Sequence, residues 1–322
     1  MSTKNEVLAA LMREEAPISG ERMARRLGVS RNSVWKAIAQ LRDEGYAIDA
    51  ATNRGYRLVR APERLTEPAI AQWLRTRVFA RGMEIHEQLD STNTRAKALA
   101  AAGAPHGFLV ATESQSGGRG RFGRTFYSPE HAGVYVTYVI RPNMSAERAT
   151  MITSMAAVAV ARAIEALAPV DVEIKWVNDL YIGPRKVCGI LCEASMDFES
   201  GCLEYAVLGI GVNVASMDFP SELAEIATSI ENACGVKVSR SRLVAEISNQ
   251  LEALYPQPET GGFMEESRRR SNVIGREVLV LRGDERIPAK ALAIDDLGRL
   301  VVESDAGILR LASGEISLKL RQ

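Results

Sequence analysis

The spacing of apolar residues changes near residue 62, and this change divides the 322-residue chain before any motif is considered. Upstream, apolar side chains recur every three or four positions, the period of a helix with one buried face. Downstream they come in short β-branched runs separated by turn residues, the pattern of strands. A chain of this length carries two or three domains. Ala61-Pro62-Glu63 therefore reads as a linker.

Three short helices are expected before it. Residues 6–13 form the first, which Pro17 ends. Ser19-Gly20-Glu21 opens the second, with Met23, Ala24 and Leu27 on one face and Gly28 as a left-handed cap. Ser30 N-caps the third, whose Val34, Ile38 and Leu41 point inward until Gly45 stops it. Residues 46–58 read as two short strands around an Asn53-Arg54-Gly55 turn. From about residue 65 to 270 the pattern is mixed, with strands at 108–114, 133–140, 172–177, 189–194 and 205–214 and helices at 92–102, 146–167 and 242–255. From Val273 onward, strand-like runs alternate with turns at 282–284, 297–299 and 305–307, which indicates a small all-β unit.

Charge refines this division. Basic and acidic residues number forty each, but residues 1–60 hold eleven basic and seven acidic side chains, so a small positive module joins a mildly negative body. Hydrophobic residues at 46% and charged residues at 25% exclude wholesale disorder. The four cysteines (Cys188, Cys192, Cys202, Cys234) are too few for a disulfide framework and form no zinc spacing, so reduced thiols are expected. The first residues carry charge where a signal peptide needs an apolar run, and the most apolar stretch, 155–161, ends at Arg162, far too short for a membrane span. A soluble, cytoplasmic protein without membrane association is the expectation.

Between Arg22 and Arg42 stand six basic side chains and no acidic one, a density suited to phosphate. With Val34, Ile38 and Leu41 turned inward, Arg31, Asn32, Trp35 and Lys36 occupy the outer arc of the third helix. Arginine and asparagine make paired hydrogen bonds to base edges. Residues 20–58 resemble a bacterial winged helix-turn-helix, which assigns Arg22, Arg26, Arg31, Asn32, Trp35, Lys36 and the wing residue Arg54 to DNA. The alternative is a basic helical unit that docks onto the body or onto a protein.

A second feature follows the strand at 108–114. Residues 118–123, GRGRFG, match G-x-G-x-x-G, but a dinucleotide fingerprint must open a helix, and Thr125-Phe126-Tyr127-Ser128-Pro129 does not. No P-loop sequence is present either. Three arginines set among glycines instead suggest a loop able to close over a phosphate or carboxylate.

Taken with their neighbours, these residues resemble the family of bifunctional biotin–protein ligases and biotin-operon repressors, the BirA family. The matching features are DSTN (90–93), Q-x-x-GRGR (115–121), KW-x-NDL (175–180), K-x-x-GIL (186–191), G-x-G-x-N (209–213) and GEISL (314–318). One departure is Val177, where the family usually has proline. The resemblance implies an α+β multidomain chain: a winged helix-turn-helix at 1–62, a mixed α/β biotin/lipoate-ligase-like catalytic domain at 63–270, and a small SH3-like β-barrel at 271–322.

It also implies two reaction steps. The carboxylate of biotin attacks the α-phosphate of ATP to give biotinyl-5′-AMP and pyrophosphate. A lysine of a biotin carboxyl carrier protein, part of a biotin-dependent carboxylase, then attacks the mixed anhydride and releases AMP. By this resemblance Lys186, Arg119 and Arg121 are catalytic. Ser91, Thr92, Asn93, Gln115, Gly120 and Gly189 join them around biotin. Arg121, Arg124, Asn178, Asp179 and Asn213 meet the nucleotide, with Asp179 as a ligand for Mg²⁺. Biotin is thus substrate and precursor of the corepressor, and adenylate-bound protein forms a homodimer on operator DNA. The alternatives are a biotin-sensing repressor without ligase activity and a lipoate- or octanoate-attaching ligase. Trp176 reads as core rather than ligand contact.

Overall fold

The computed structural model describes residues 3–14, 16–43, 45–51, 55–60, 64–197, 199, 201–255, 262–282, 285–312 and 315–318. Helices α1 (Thr3–Arg13), α2 (Gly20–Leu27) and α3 (Arg31–Asp43) fold against the antiparallel pair β1 (Ala47–Ala51) and β2 (Gly55–Arg60). This is the expected helix-turn-helix with its hairpin wing. The caps act as the sequence indicates: Ser19 Oγ accepts from Arg22 N at 3.1 Å, Ser30 Oγ accepts from Ser33 N at 3.0 Å, and Gly28 is left-handed at φ +67°. Helix α1 begins earlier than residue 6 because Thr3, Lys4 and Asn5 are polar and leave no mark on the apolar spacing. Val7, Leu11, Ile18, Met23, Val34 and Ile38 close a small core of their own. The wing is bound to the stretch between α1 and α2, since Ile18 and Tyr56 exchange both backbone hydrogen bonds at 2.9 Å. Gly55 permits that approach: its φ is +99°, and a Cβ there would lie 2.3 Å from Ile18 O.

After Leu65, the short helix α4 (Glu67–Ala71), capped by Thr66, touches α1 on one side and the later helix at 240–254 on the other. Next come β3 (Met83–Leu89), α5 (Thr92–Ala101), β4 (Leu109–Gln115), β5 (Gly133–Ile140), α6 (Ala149–Glu165), β6 (Val172–Lys175), β7 (Asp179–Ile182), β8 (Arg185–Met196) and β9 (Leu203–Asn213). The strands form one mixed sheet in the order β3-β4-β5-β9-β8-β7-β6, parallel only between β3 and β4. Helices α7 (Ser221–Ala224), α8 (Ile230–Cys234), α9 (Arg240–Leu254) and α10 (Met264–Arg269) follow. Strand β3, the hairpin partner β7 and the short helices escaped the sequence reading because each is short or half-polar. The strand expected at 172–177 ends at Lys175, where the hairpin loop begins.

Alternation decides which side of the sheet is packed. Val134, Val136 and Tyr138 of β5, with Leu208, Ile210 and Val212 of β9, meet α6 and α9 in the main core. Val139 and Val207, on the opposite face, pack with Ala96 and Ala100 of α5. Helix α5 covers only part of that face. The remainder is open, and its strands carry the motif residues.

The C-terminal unit is a five-stranded antiparallel sheet of β10 (Glu277–Arg282), β11 (Glu285–Ile294), β12 (Leu300–Ser304), β13 (Gly307–Leu311) and β14 (Glu315–Leu318), in the order β13-β12-β11-β10-β14. Gly314 of the GEISL motif lies outside the described residues. Unlike the helical unit, this sheet shares the main core, to which Val278, Val280, Ala291, Leu300 and Val302 belong. Just before this sheet, an ionic network fastens α10 to α6. Arg270 holds Glu165 with two bonds of 2.6 and 2.7 Å and Glu266 with a third of 2.9 Å, while Arg162 also grips Glu266.

Two outcomes follow. Gly55→Ala should destabilise the helical unit by about 2 kcal/mol or more, because the added carbon meets backbone in a left-handed conformation. Melting should then show an early transition for this unit alone, and an unchanged melt would refute the account. At Glu165 and Glu266, burial pushes the carboxyl up, but hydrogen bonds from the guanidiniums outweigh it and both pKa values are lowered. Their contribution is therefore present above the unfolded value of about 4.3 and is lost as pH falls through the lower folded values. Replacing both with Gln should flatten part of the stability loss measured between pH 6 and pH 3.

Candidate active site

The open half of the sheet face is a cavity of about 390 Å³. Its floor follows from a period of two: G-x-G-x-N places Gly209, Gly211 and Asn213 on one face of β9, and the register sets Gly189 against Gly211 and Leu191 against Gly209. The bare α-carbons have a steric reason. A Cβ on Gly209 would lie 2.1 Å from Asn93 Oδ1, and one on Gly211 would lie 2.6 Å from the Phe126 ring. At Gly189 a Cβ would meet Lys186 Nζ at 3.1 Å.

One wall is the start of α5. Ser91 occupies the N-cap position without a capping side-chain bond. Gln115 Oε1 accepts from Thr92 N at 2.9 Å and from Thr92 Oγ1 at 3.2 Å, while its Nε2 donates to Ser128 Oγ at 2.9 Å. Asn93 is enclosed: its Nδ2 donates to Leu191 O and Glu193 Oε2, and its Oδ1 accepts from Thr137 Oγ1 at 2.7 Å. The Asn93 amide thus builds the wall, and Gly209 is bare to accommodate it. Burial pushes the Glu193 carboxyl up, but Lys97 and Asn93 hydrogen bonds and the nearby Arg119 charge bring it below its ordinary value. Thr137, Glu193 and Lys97 were not singled out by the sequence. Only their strand parity, odd like Gly209 and Gly211, marks Thr137 and Glu193 as facing the same side.

The second wall is the Gly/Arg loop. It doubles back on itself: Phe126 N donates to Gly118 O, Gly120 N to Arg124 O and Arg124 N to Arg121 O. A 3-10 turn at Arg121–Gly123 forms its tip, with Phe122 exposed. No α-helix starts here, as the rejection of a dinucleotide fingerprint required. Arg119 and Arg124 are exposed, and Arg121 is half-buried.

Arg121 is the end of a continuous chain. Its Nη1 donates to Asn178 Oδ1 at 2.9 Å, Asn178 Nδ2 donates to Asp179 Oδ1 at 2.8 Å, and Asp179 Oδ1 pairs with Lys186 Nζ at 2.7 Å. Asn178 and Asp179 come from the β6–β7 hairpin and Lys186 from β8, so three separate motifs converge on one array. The five cations lining the cavity, Arg119, Arg121, Arg124, Lys175 and Lys186, face a single carboxylate among the described residues, Asp179. Burial pushes the Tyr181 hydroxyl up to about 12, with the Asp179 charge adding to it, so it stays protonated.

Two further motif residues are structural as well as lining. Asn213 Nδ2 donates to Thr228 O at 3.0 Å, holding the segment whose Ile226 and Thr228 bracket the backbone of Lys186. Trp176 is 4% exposed and belongs to the main core, as expected of it, yet one edge reaches the cavity. The Trp176–Val177 peptide is cis.

At the N-terminal unit, Arg22, Arg31, Asn32, Trp35 and Lys36 are exposed, with Trp35 at 60%. Arg26 pairs with Glu14 at 3.0 Å, and Arg42 is spent on Ile48 O. Arg54 lies outside the described residues. All four cysteines are free. Among the described residues no helix is long and apolar enough to cross a membrane, and no group of three or more His, Cys, Asp or Glu is placed to hold a metal.

A helix-turn-helix joined to a mixed sheet with a cation-lined, glycine-floored cavity defines a class: a ligase of the biotin/lipoate type carrying a DNA-binding unit. Family models agree along the chain. Residues 3–57 match the HTH domain, 85–213 the biotin/lipoate A/B protein ligase family, and 273–319 the biotin protein ligase C-terminal domain. The chain is 38% identical over 308 residues to the bifunctional ligase/repressor BirA of Bacillus subtilis, covering 94% of each. It is 28% identical to the BirA of Escherichia coli, covering 97% of this chain and 96% of that one. The solved biotin protein ligase of Aquifex aeolicus in complex with biotin and ATP superposes with a TM-score of 0.63 at 25% identity, covering 74% of this chain and 99% of that one. The chain belongs to the BirA family of bifunctional ligase/repressors.

Because Gly209 yields space to Asn93, Gly209→Ala should push the Asn93 amide off Thr137 and Glu193. The lost buried hydrogen bonds should cost about 1–3 kcal/mol and weaken biotin binding in calorimetry by at least tenfold. Binding within twofold of the parent would count against this role.

Proposed function

We propose that the cavity joins biotin to ATP and hands the product to a protein lysine, with the roles divided between its two walls. The observation that carries this reading is the convergence of Arg121, Asn178, Asp179 and Lys186 in one hydrogen-bonded chain beneath a cation-lined opening. The first step brings a carboxylate against a polyphosphate, so mutual repulsion of anions is the barrier to offset. Fixed cations and positioning are the means. Lys186 and Arg121 stabilise the biotin carboxylate and the α-phosphate as the carboxylate oxygen bonds to phosphorus and pyrophosphate leaves. Arg119 and Arg124, exposed on the loop, close over the anions, and closure keeps water from the mixed anhydride. In the second step the neutral amine of the acceptor lysine attacks the acyl carbon, an amide forms, and AMP departs.

Ser91, Thr92, Gln115 and the backbone around Gly120 supply donors and acceptors for the ureido ring, with Asn93 fixing their frame. Gly189 leaves room for the apolar tail. Asn178, Asp179 and Asn213 lie on the nucleotide side. Mg²⁺ fits as a companion of ATP: the cavity offers one carboxylate, Asp179, and a hard cation held largely by phosphate oxygens and water needs no more. Bound there, it would neutralise phosphate charge.

We take the functional units as 1–62, 63–270 and 271–322. The acceptor is a biotin carboxyl carrier protein, the setting is the cytoplasm, and the exposed face of α3 meets operator DNA. Dimerisation in the adenylate-bound state is supported by β8, whose residues beyond 189 pair with β9 but with no strand on the other side among the described residues. An open edge of this kind invites a second copy, and a two-fold pair of α3 helices suits a two-fold operator.

Exchange of labelled pyrophosphate into ATP should depend on biotin and not respond to lipoate. Lys186→Ala should lower it by about 10²–10³-fold while DNA binding by the N-terminal unit persists. Equal loss of both activities would mean unfolding, and exchange at parental rate would remove Lys186 from the chemistry. Sedimentation with and without biotinyl-5′-AMP should give dimer and monomer, and a monomer in both would sink the dimer.

A further inference from the structure

A buried polar contact ties the C-terminal unit to the active-site hairpin. Trp176 Nε1 donates to Gly298 O at 2.9 Å. Trp176 is the first of three loop residues between Lys175 and Asp179, which pair across the β6–β7 hairpin, and Asn178 is the third. In so tight a loop, fixing the indole also fixes Asn178 and Asp179, the middle links between Arg121 and Lys186.

The acceptor is itself built for the purpose. Gly298 stands in the turn between β11 and β12, and one carboxylate organises that turn: Asp295 Oδ1 accepts from Leu297 N at 3.0 Å and Arg299 N at 2.9 Å, while Oδ2 accepts from Arg299 Nε at 2.7 Å. Gly298 is left-handed at φ +74°, and a Cβ would lie 3.2 Å from Ser154 Oγ on α6. The left-handed backbone and the close approach to α6 both favour a bare residue in this turn, whose carbonyl is turned to the indole. Just past β13, Ala312 O accepts from Thr150 Oγ1 at 3.1 Å, so this unit is also hydrogen-bonded to α6.

We infer that Trp176 is a positioning residue for the nucleotide half of the site, and that the C-terminal sheet acts on catalysis through the Gly298 carbonyl that holds it. This rests on the assignment of Asn178 and Asp179 to the nucleotide. The biotin wall, built from α5, β4 and β5, has no part in the contact.

The split between substrates is the test. Trp176→Phe keeps the ring and removes the N–H; Asp295→Ala leaves the cavity untouched and loosens the turn. In the full-length chain, both should raise the ATP Kd in calorimetry and the KM for ATP in pyrophosphate exchange by about tenfold, the order of one buried hydrogen bond. The KM for biotin should stay within twofold. Unchanged ATP binding in both variants, or ATP and biotin constants rising together, would overturn the inference. Should Trp176→Phe fail to fold, Asp295→Ala alone decides. ATP binding weakened in both variants, in a parent that shows no biotin-dependent exchange, would uphold the positioning role and reject the ligase reading instead.

Discussion

Everything in the central domain is arranged around bringing cations together without letting them repel one another apart. Lys186 and Arg121 are kept near each other only because Asp179 and Asn178 stand between them, a carboxylate for the ammonium and an amide oxygen for the guanidinium. A hairpin supplies both intermediates, the neighbouring strand supplies the lysine, and a folded loop supplies the arginine. A lone cation in a half-buried site would be costly to desolvate; a linked array is not, and it remains net positive toward an incoming anion.

The floor had to be flat for this to work. Strand β9, with glycine at alternate positions, exposes backbone where other sheets present side chains, and the register brings its Gly211 opposite Gly189 of β8. The same alternation sends Ile210 and Val212 to the packed side. A single short motif therefore encodes both core and cavity, which is why it is so informative.

What the sequence made legible divides along that line. The cationic loop and the helix caps are local patterns that the residues mark by themselves; the KW-x-ND and glycine motifs were placed by resemblance, and the strand β7 that completes the hairpin left too short a run to be read. Residues that act across long separations left no such trace. Thr137 holds Asn93 from 44 positions away, and Trp176 finds its acceptor 122 positions on. Nothing local distinguishes Thr137 from any strand threonine, or Gly298 from any turn glycine. The buried pair of Glu113 and Arg240, 127 residues apart, is equally silent, as is Leu65 N, which donates to the same carboxylate.

That last cluster bears on how two activities share one chain. The helical unit has a hydrophobic core of its own, separate from that of the catalytic domain. Among the described residues α1 packs against α4, Gln72 Nε2 reaches Met12 Sδ at 3.6 Å, and just past the linker the Leu65 amide is held by Glu113. Glu113 lies two residues before Gln115, which fixes Thr92 and precedes the Gly/Arg loop. The C-terminal sheet shares its core with the catalytic domain and cannot be displaced without opening it. The C-terminal unit is thus fused to the core beneath the KW-x-ND hairpin, and the start of the catalytic domain is fixed to strand β4. Strand β4 carries both Glu113, which holds the first residues after the linker, and the Gly/Arg loop that follows its end.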